Sequence, residues 1–241
     1  HPTREDTMLK VISFTICPFV QRLTALLEAK GLPYEIEYIS LKDKPQWFLD
    51  LSPNGQVPVL MTESGQALFE SDAIVEYIDD AYGPLNPSLT PEQKAVNRAW
   101  SYLASKHYLV QCSAQRSGDE VTLNERSVKL EKAFSTIEKV LGDAHFFNAG
   151  DVGMVDIAWL PLLHRAALIE KHAGYGFLAG YPKLKRWQQH LLFTGLAEKS
   201  VATDFEGAFT DFYLSEQTFL GNRNCQVSAS ADNACATGSC C

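Results

Sequence analysis

The chain has no apolar run near the roughly 18 residues that a bilayer-spanning helix needs, and no cluster of basic residues. Its formal net charge is -8, which argues against nucleic acid or an anionic membrane surface as a partner. No internal repeat is visible, so solenoid architectures are set aside. The start, His1-Pro2-Thr3-Arg4-Glu5-Asp6-Thr7, is polar and carries no signal-peptide pattern. Met8 reads as the natural start, and residues 1–7 are left out of fold reasoning. Cysteine is scarce in the body. Of six cysteines, only Cys17 and Cys112 fall there, while Cys225, Cys235, Cys240 and Cys241 crowd the last 17 residues. A secreted disulfide scaffold spreads its cysteines through the core, so a reducing, cytoplasmic setting is expected. The tail has no Cys-x-x-Cys spacing and no histidine, so no metal is expected. Built of Gly, Asn, Ser, Ala and Cys, residues 221–241 have little to bury and are expected to be disordered.

What is present suffices for a core. Hydrophobic residues make up 46% of 241 positions, enough for one large domain or two small ones. Near the start, the apolar run Leu9 to Phe14 predicts a strand, and Pro18 opens a helical pattern through Leu23, Leu26 and Leu27. Proline suits the first helical turn because its missing N–H would be unpaired there anyway. Cys17 therefore falls at a strand-to-helix junction, over the positive end of a helix. Unpaired N–H groups and the dipole favour an anion there, which predicts a thiolate that forms more easily than a free one.

The remaining pattern reads in order. Helix one runs from Pro18 to Lys30, ended by Gly31 and Pro33. Tyr34 to Ile39 alternates as a half-buried strand, and strand–helix–strand implies a parallel right-handed unit. A short helix over Lys44 to Leu49 follows, then a turn, the strand Val57 to Met61, a hairpin turn and the strand Ala67 to Glu70. Ser71 or Asp72 is expected to cap a helix from Ala73 to Tyr82. Pro58 lies inside a strand pattern, where proline is normally barred. A cis Val57–Pro58 bond resolves this by turning the Val57 backbone outward to pair with an extended peptide; an edge-strand proline is the alternative. Residues 84–91 are rich in breakers and read as a linker. Beyond it the pattern is helical: one long helix from Glu92 to about Arg116, another from Leu123 to Leu141, a strongly apolar one from Met154 to Lys171, one from Tyr181, and one more to about Asp204.

These readings amount to an α/β thioredoxin-like N-terminal domain (βαβββα, residues 8–83), the linker, and an all-α helical-bundle C-terminal domain over 92–220. Such a chain resembles a cytosolic glutathione transferase, and its detail is similar to the cysteine-type, omega-like branch. Cys17-Pro18-Phe19-Val20-Gln21-Arg22 resembles that branch's active-site run, and Leu41-Lys42-Asp43-Lys44-Pro45-Gln46-Trp47-Phe48 its second-helix run. Val57-Pro58-Val59-Leu60 resembles the cis-proline strand, and Glu70-Ser71 the γ-glutamyl-binding pair. The resemblance implies that glutathione is a substrate and that Cys17 is the nucleophile, forming a mixed disulfide with it. Phe19 would line the thiol pocket, Val57 would pair its backbone with the cysteinyl part using groups freed by Pro58, and Glu70 would take the γ-glutamyl ammonium. Ser71 would hold its carboxylate, a role that anion binding at helix N-termini also supports, and Lys44 would meet the glycyl carboxylate. A small disulfide or electrophile is the expected second partner, between the domains, with Trp100, Tyr102, Tyr108, Trp187 and Phe212 as candidate walls. A homodimer is expected from the family.

The implied chemistry is that of a glutathione-dependent thiol transferase, reducing glutathionyl disulfides or dehydroascorbate-like acceptors. No cysteine follows Cys17 three residues on, so a dithiol route at that motif is closed, and Cys112 reads as a small core hydrophobe. Alternatives are a conjugating transferase, a non-catalytic binding module of the same fold, and an intracellular chloride-channel-like protein with a similar Cys-Pro-Phe run. One departure from the family resembled concerns the central apolar helix: most members carry Ser or Thr three residues before its buried aspartate, whereas Gly153 precedes Asp156 here.

Overall fold

A computed structural model describes residues 8–223. The N-terminal domain contains β1 (Leu9–Ser13), α1 (Pro18–Ala29), β2 (Tyr34–Tyr38), α2 (Gln46–Leu51), β3 (Val59–Met61), β4 (Ala67–Leu68) and α3 (Ser71–Ala81). Its sheet has the order β2-β1-β3-β4, with β1 and β2 parallel and the other pairs antiparallel. Side chains alternate across the strands. Leu9, Val11 and Leu60 join the main core beneath α1 and α3, while Ile12 and Val59 meet Phe48 of α2 on the opposite face. The alternation of β2 does not produce a half-buried strand: Glu35, Ile36 and Tyr38 are exposed at the sheet edge.

The helical domain follows, with α4 (Pro91–Ser105), α5 (Tyr108–Gln115), α6 (Glu120–Glu138), α7 (Met154–Ala173), α8 (Pro182–Phe193), α9 (Leu196–Lys199) and α10 (Phe205–Tyr213). Thr90 and Gln93 form a reciprocal capping box that starts α4. The long helix expected from Glu92 to Arg116 is instead two helices. The chain bends at Lys106 and His107, where the His107 N–H donates to Ala104 rather than to a carbonyl four residues back. The bend carries Tyr108 inward, its hydroxyl on the Ala158 carbonyl and its ring edge-on to Phe19 with centroids 5.0 Å apart. Helix α10 was not anticipated, although Phe205, Phe209 and Tyr213 recur at helical spacing and are buried. Residues 219–223 form a further helical turn, with Arg223 donating to the Ala173 and Gly174 carbonyls at 3.2 and 3.0 Å. The expected tail thus overlaps ordered chain at 221–223, and its cysteines lie outside the described residues.

Helix α7 is the axle of the molecule. It packs on α4, on α8 and, across the domain boundary, on α1. Its start lacks a side-chain cap, as the glycine predicted, and Asp156 holds that end in another way, by accepting from the residue before the helix and from neighbouring segments. Its carboxylate receives Gly153 N–H at 2.8 Å, Phe147 N–H at 3.0 Å and Trp187 Nε1–H at 2.7 Å. A Cβ at Gly153 would stand 2.2 Å from Asn86 Oδ1 of the linker, so any side chain there has to displace that amide.

Candidate active site

Seven positions singled out in the sequence meet around one cleft of about 280 Å³: Cys17, Phe19, Lys44, Val57, Pro58, Glu70 and Ser71. Each arrives by a local device. Cys17 is the residue before the first turn of α1, with extended backbone, and Pro18 takes the first helical position. The Val57–Pro58 bond is cis, and β3 begins only at Val59, so the proline lies just before the strand and not inside it as the pattern from Val57 suggested. Lys44 donates to the Gly55 carbonyl at 2.8 Å, which folds its side chain over the turn. Glu70 has φ +69, outside the usual range for a non-glycine residue, and such backbone is held only where its surroundings over-determine it. One contributor is Asn54, whose amide donates to Glu70 Oε1 at 2.7 Å. Ser71 is the first residue of α3, buried at 7% exposure. It does not cap the helix: neither Ser71 nor Asp72 accepts a capping bond, and Glu70 occupies the preceding position with no side-chain cap. No side chain of the described residues therefore caps the start of α3, whose first residues Ser71 and Asp72 line the cleft.

Sequence reasoning missed Asn54, Gln56, Asp72 and Leu109, which also line the cleft. Asp72 is tied to the buried Arg22 guanidinium and accepts Ser105 Oγ at 3.2 Å. In the sequence Asp72 reads only as an alternative cap to Ser71, and its acidic side chain beside the Glu70-Ser71 pair is the available signal. The expected aromatic walls are mostly elsewhere. Trp187 is buried on Asp156, and Trp100 packs against Phe147 with its carbonyl on Trp159 Nε1. Tyr102 donates to Glu76 in a separate crevice, and Phe212 lies beneath Arg116 at 4.3 Å. Trp187 and Trp100 were drawn against the core because α7 must be covered on several sides, whereas Phe212 stays exposed. Tyr108 alone approaches, through its contact with Phe19.

The thiol of Cys17 reverses the electrostatic expectation. Backbone N–H groups of Val20 and Phe19 do face it, as a helix N-terminus requires, and Arg165 adds positive potential. Burial outweighs them and pushes the thiol up to about 11. Cys17 is part-exposed to the cleft, but the protein around it removes the water that would solvate a thiolate. Cys112 is also a part-buried free thiol, packed against the main core. Among the described residues no group of three or more His, Cys, Asp or Glu could hold a metal ion, and no helix is long and apolar enough to cross a membrane.

A thioredoxin-type sheet, a cysteine at the head of α1, a cis-proline strand and an all-α domain packed behind define a two-domain thiol-handling fold. The family pattern described as glutathione S-transferase, N-terminal domain matches residues 16–81, and the C-terminal domain pattern matches 120–189. Pig glutathione S-transferase omega-1 is 32% identical over 191 residues, 78% of each chain. The rat omega-1 protein is 34% identical over 189 residues, 76% of each. Rice GST1, solved in complex with glutathione, superposes with a TM-score of 0.71 at 26% identity over 86% of this chain and 99% of its own. The chain belongs to the glutathione S-transferase family, in its omega-like branch.

Proposed function

We propose that the chain is a glutathione-dependent thiol transferase in which Cys17 is the nucleophile. The Cys17 thiolate attacks the glutathionyl sulfur of a mixed disulfide. The S–S bond breaks, the acceptor leaves as a thiolate that takes up a proton, and a Cys17–glutathione disulfide forms. A second glutathione thiolate then attacks the glutathionyl sulfur, releasing glutathione disulfide and restoring Cys17. Glu70 receives the γ-glutamyl ammonium, Ser71 and the N–H groups at the start of α3 receive its carboxylate, the Val57 backbone pairs with the cysteinyl part, and Lys44 meets the glycyl carboxylate. Phe19 lines the thiol pocket.

The observation that carries this reading is the convergence of those side chains on one cleft with Cys17 in its lining. The omega-1 relatives lend further support. The reading extends to dehydroascorbate-like acceptors, a homodimer, a cytoplasmic location and domain limits of 8–83 and 92–220. Glutathione-dependent reduction of a small glutathionyl disulfide, with a chloro-aromatic conjugation assay alongside, tests it. Reduction is expected in the wild type and to fall by at least about 10³-fold in Cys17→Ser. Conjugation without reduction, surviving in that variant, would return the chain to the conjugating class.

A further inference from the structure

Two arginines are buried along α1, and they differ in one respect. Arg22, 2% exposed, has the Asp72 carboxylate as its partner. Arg165, 0% exposed on α7, has no carboxylate partner among the described residues. It donates to the Pro161 carbonyl at 3.2 Å, the Ile16 carbonyl at 3.2 Å and Gln21 Oε1, lies 5.2 Å from the Phe205 ring, and its Nε has no partner. A buried cation without a counter-charge is strongly unfavourable, and neutral acceptors repay only part of that.

The groups around it identify the missing anion. Cys17, Cys112, Tyr108 and Tyr213 lie within its electrostatic reach. Burial pushes both phenols up, beyond the range in which they ionise, and the Tyr213 hydroxyl engages Cys112. The neighbouring His164 is pushed down to about 3 by burial and by Arg165 itself, so it does not share the role of cation, and Arg22, which also acts on Tyr108, already has Asp72. On the cleft side, Asp72 is taken by Arg22 and Ser105, Glu70 by Asn54, and Lys44 by the Gly55 carbonyl. Two thiols then remain within reach, Cys112 and Cys17, and Cys17 is the one whose adjoining backbone the guanidinium holds, through the Ile16 carbonyl. Cys17 follows Ile16 directly, and its helix is held by Gln21, which takes the Arg165 guanidinium on Oε1 and gives Nε2–H to His164 Nδ1 at 2.9 Å and Ser200 Oγ at 3.3 Å.

We infer that Arg165 is a positioning residue for the nucleophile, a buried counter-ion without a carboxylate that grips the Ile16 carbonyl and pairs with Cys17 when its thiol loses a proton. This rests on the reading of Cys17 as the nucleophile. It explains how a thiol in so dry a place can ionise during turnover: the compensating charge is already buried, and no ion has to enter from water.

The test is alkylation of Cys17 by iodoacetamide, a neutral probe, read by peptide mapping so that other thiols are not counted. Well below a thiol's midpoint the rate follows the thiolate fraction. In folded Arg165→Met the rate is expected to fall at least about tenfold and by the same factor from about pH 7 to 9, since both midpoints lie above that range, and Arg165→Lys should recover most of it. An unchanged rate, or an Arg165→Lys variant as slow as Arg165→Met, overturns the proposal. If Arg165→Met does not fold, Cys17→Asp and Cys17→Asn are compared by melting at neutral pH. An Asp variant that melts above Asn, with the gap closing on acidification, supports the pairing, and one that melts at or below Asn overturns it. Neither readout uses turnover, so a Cys17→Ser enzyme that kept its activity would refute the proposed function separately.

Discussion

The two walls of the cleft are made from different material. The N-terminal domain supplies Cys17, Phe19, Lys44, Val57, Pro58, Glu70 and Ser71, while Leu109 is the helical domain's sole lining residue among those described. The helical domain is not short of polar groups, but it spends them inward. Asp156 collects three donors at the start of α7, and Gln111 and Gln188 donate to the Leu162 and Leu163 carbonyls. One wall thus carries specific geometry at exposed element ends, and the other gives rigidity plus a bare apolar contact. Such a division suits a site that must recognise one constant ligand closely and a varied second one loosely.

Substitutions on each wall should separate these roles. The largest effect is expected from Asp156→Ala, which leaves two backbone N–H groups and an indole N–H unpaired in the interior. It should cost about 3 kcal/mol in thermal or urea unfolding with activity per folded molecule retained; a loss of activity in a stably folded variant would erase the distinction between walls. Next is the pH dependence of the nucleophile. With the thiol raised to about 11, the thiolate fraction grows about tenfold per pH unit below that point. Single-turnover glutathionylation of Cys17 by glutathione disulfide should therefore climb about 100-fold between about pH 7 and 9 without levelling. A plateau near neutrality would mean that the helix N-terminus and Arg165 prevail over burial. Glu70→Ala should raise KM for glutathione about tenfold, the worth of one charge-assisted hydrogen bond, with the melting temperature unchanged. Leu109→Ala is the smallest: about a two- to threefold change in KM for the second substrate and none for glutathione.

Much of this was readable from the sequence, and the part that was not has a common cause. The strands, α1, the cis-proline position and α7 announce themselves through local signals such as Pro18, Gly31, Pro58 and a continuous apolar run, and the resemblance of four short runs assembled one wall residue by residue. The bend at His107 and the inward turn of Tyr108 depend on Phe19 and Ala158, which are remote in sequence. The thiol is raised by the sum of everything packed around it, which no spacing rule encodes. Arg165 looks like an ordinary helical arginine until α7 is placed against α1. Trp100 and Trp187 carried the right chemistry for a pocket, and only the packing of α7 assigned them to the interior.

The contact between Asn86 and Gly153 bears on how such a chain can change. A side chain at 153 collides with the linker asparagine, since its Cβ would stand 2.2 Å from Oδ1. Serine or threonine at that position, the family's usual choice for capping the helix, therefore has to turn the Asn86 amide aside, and since the contact is with the end of a side chain and not with backbone, the amide is what gives. The linker and the start of the helix are in this way coupled through one rotamer: a cap at 153 and the present orientation of Asn86 do not coexist.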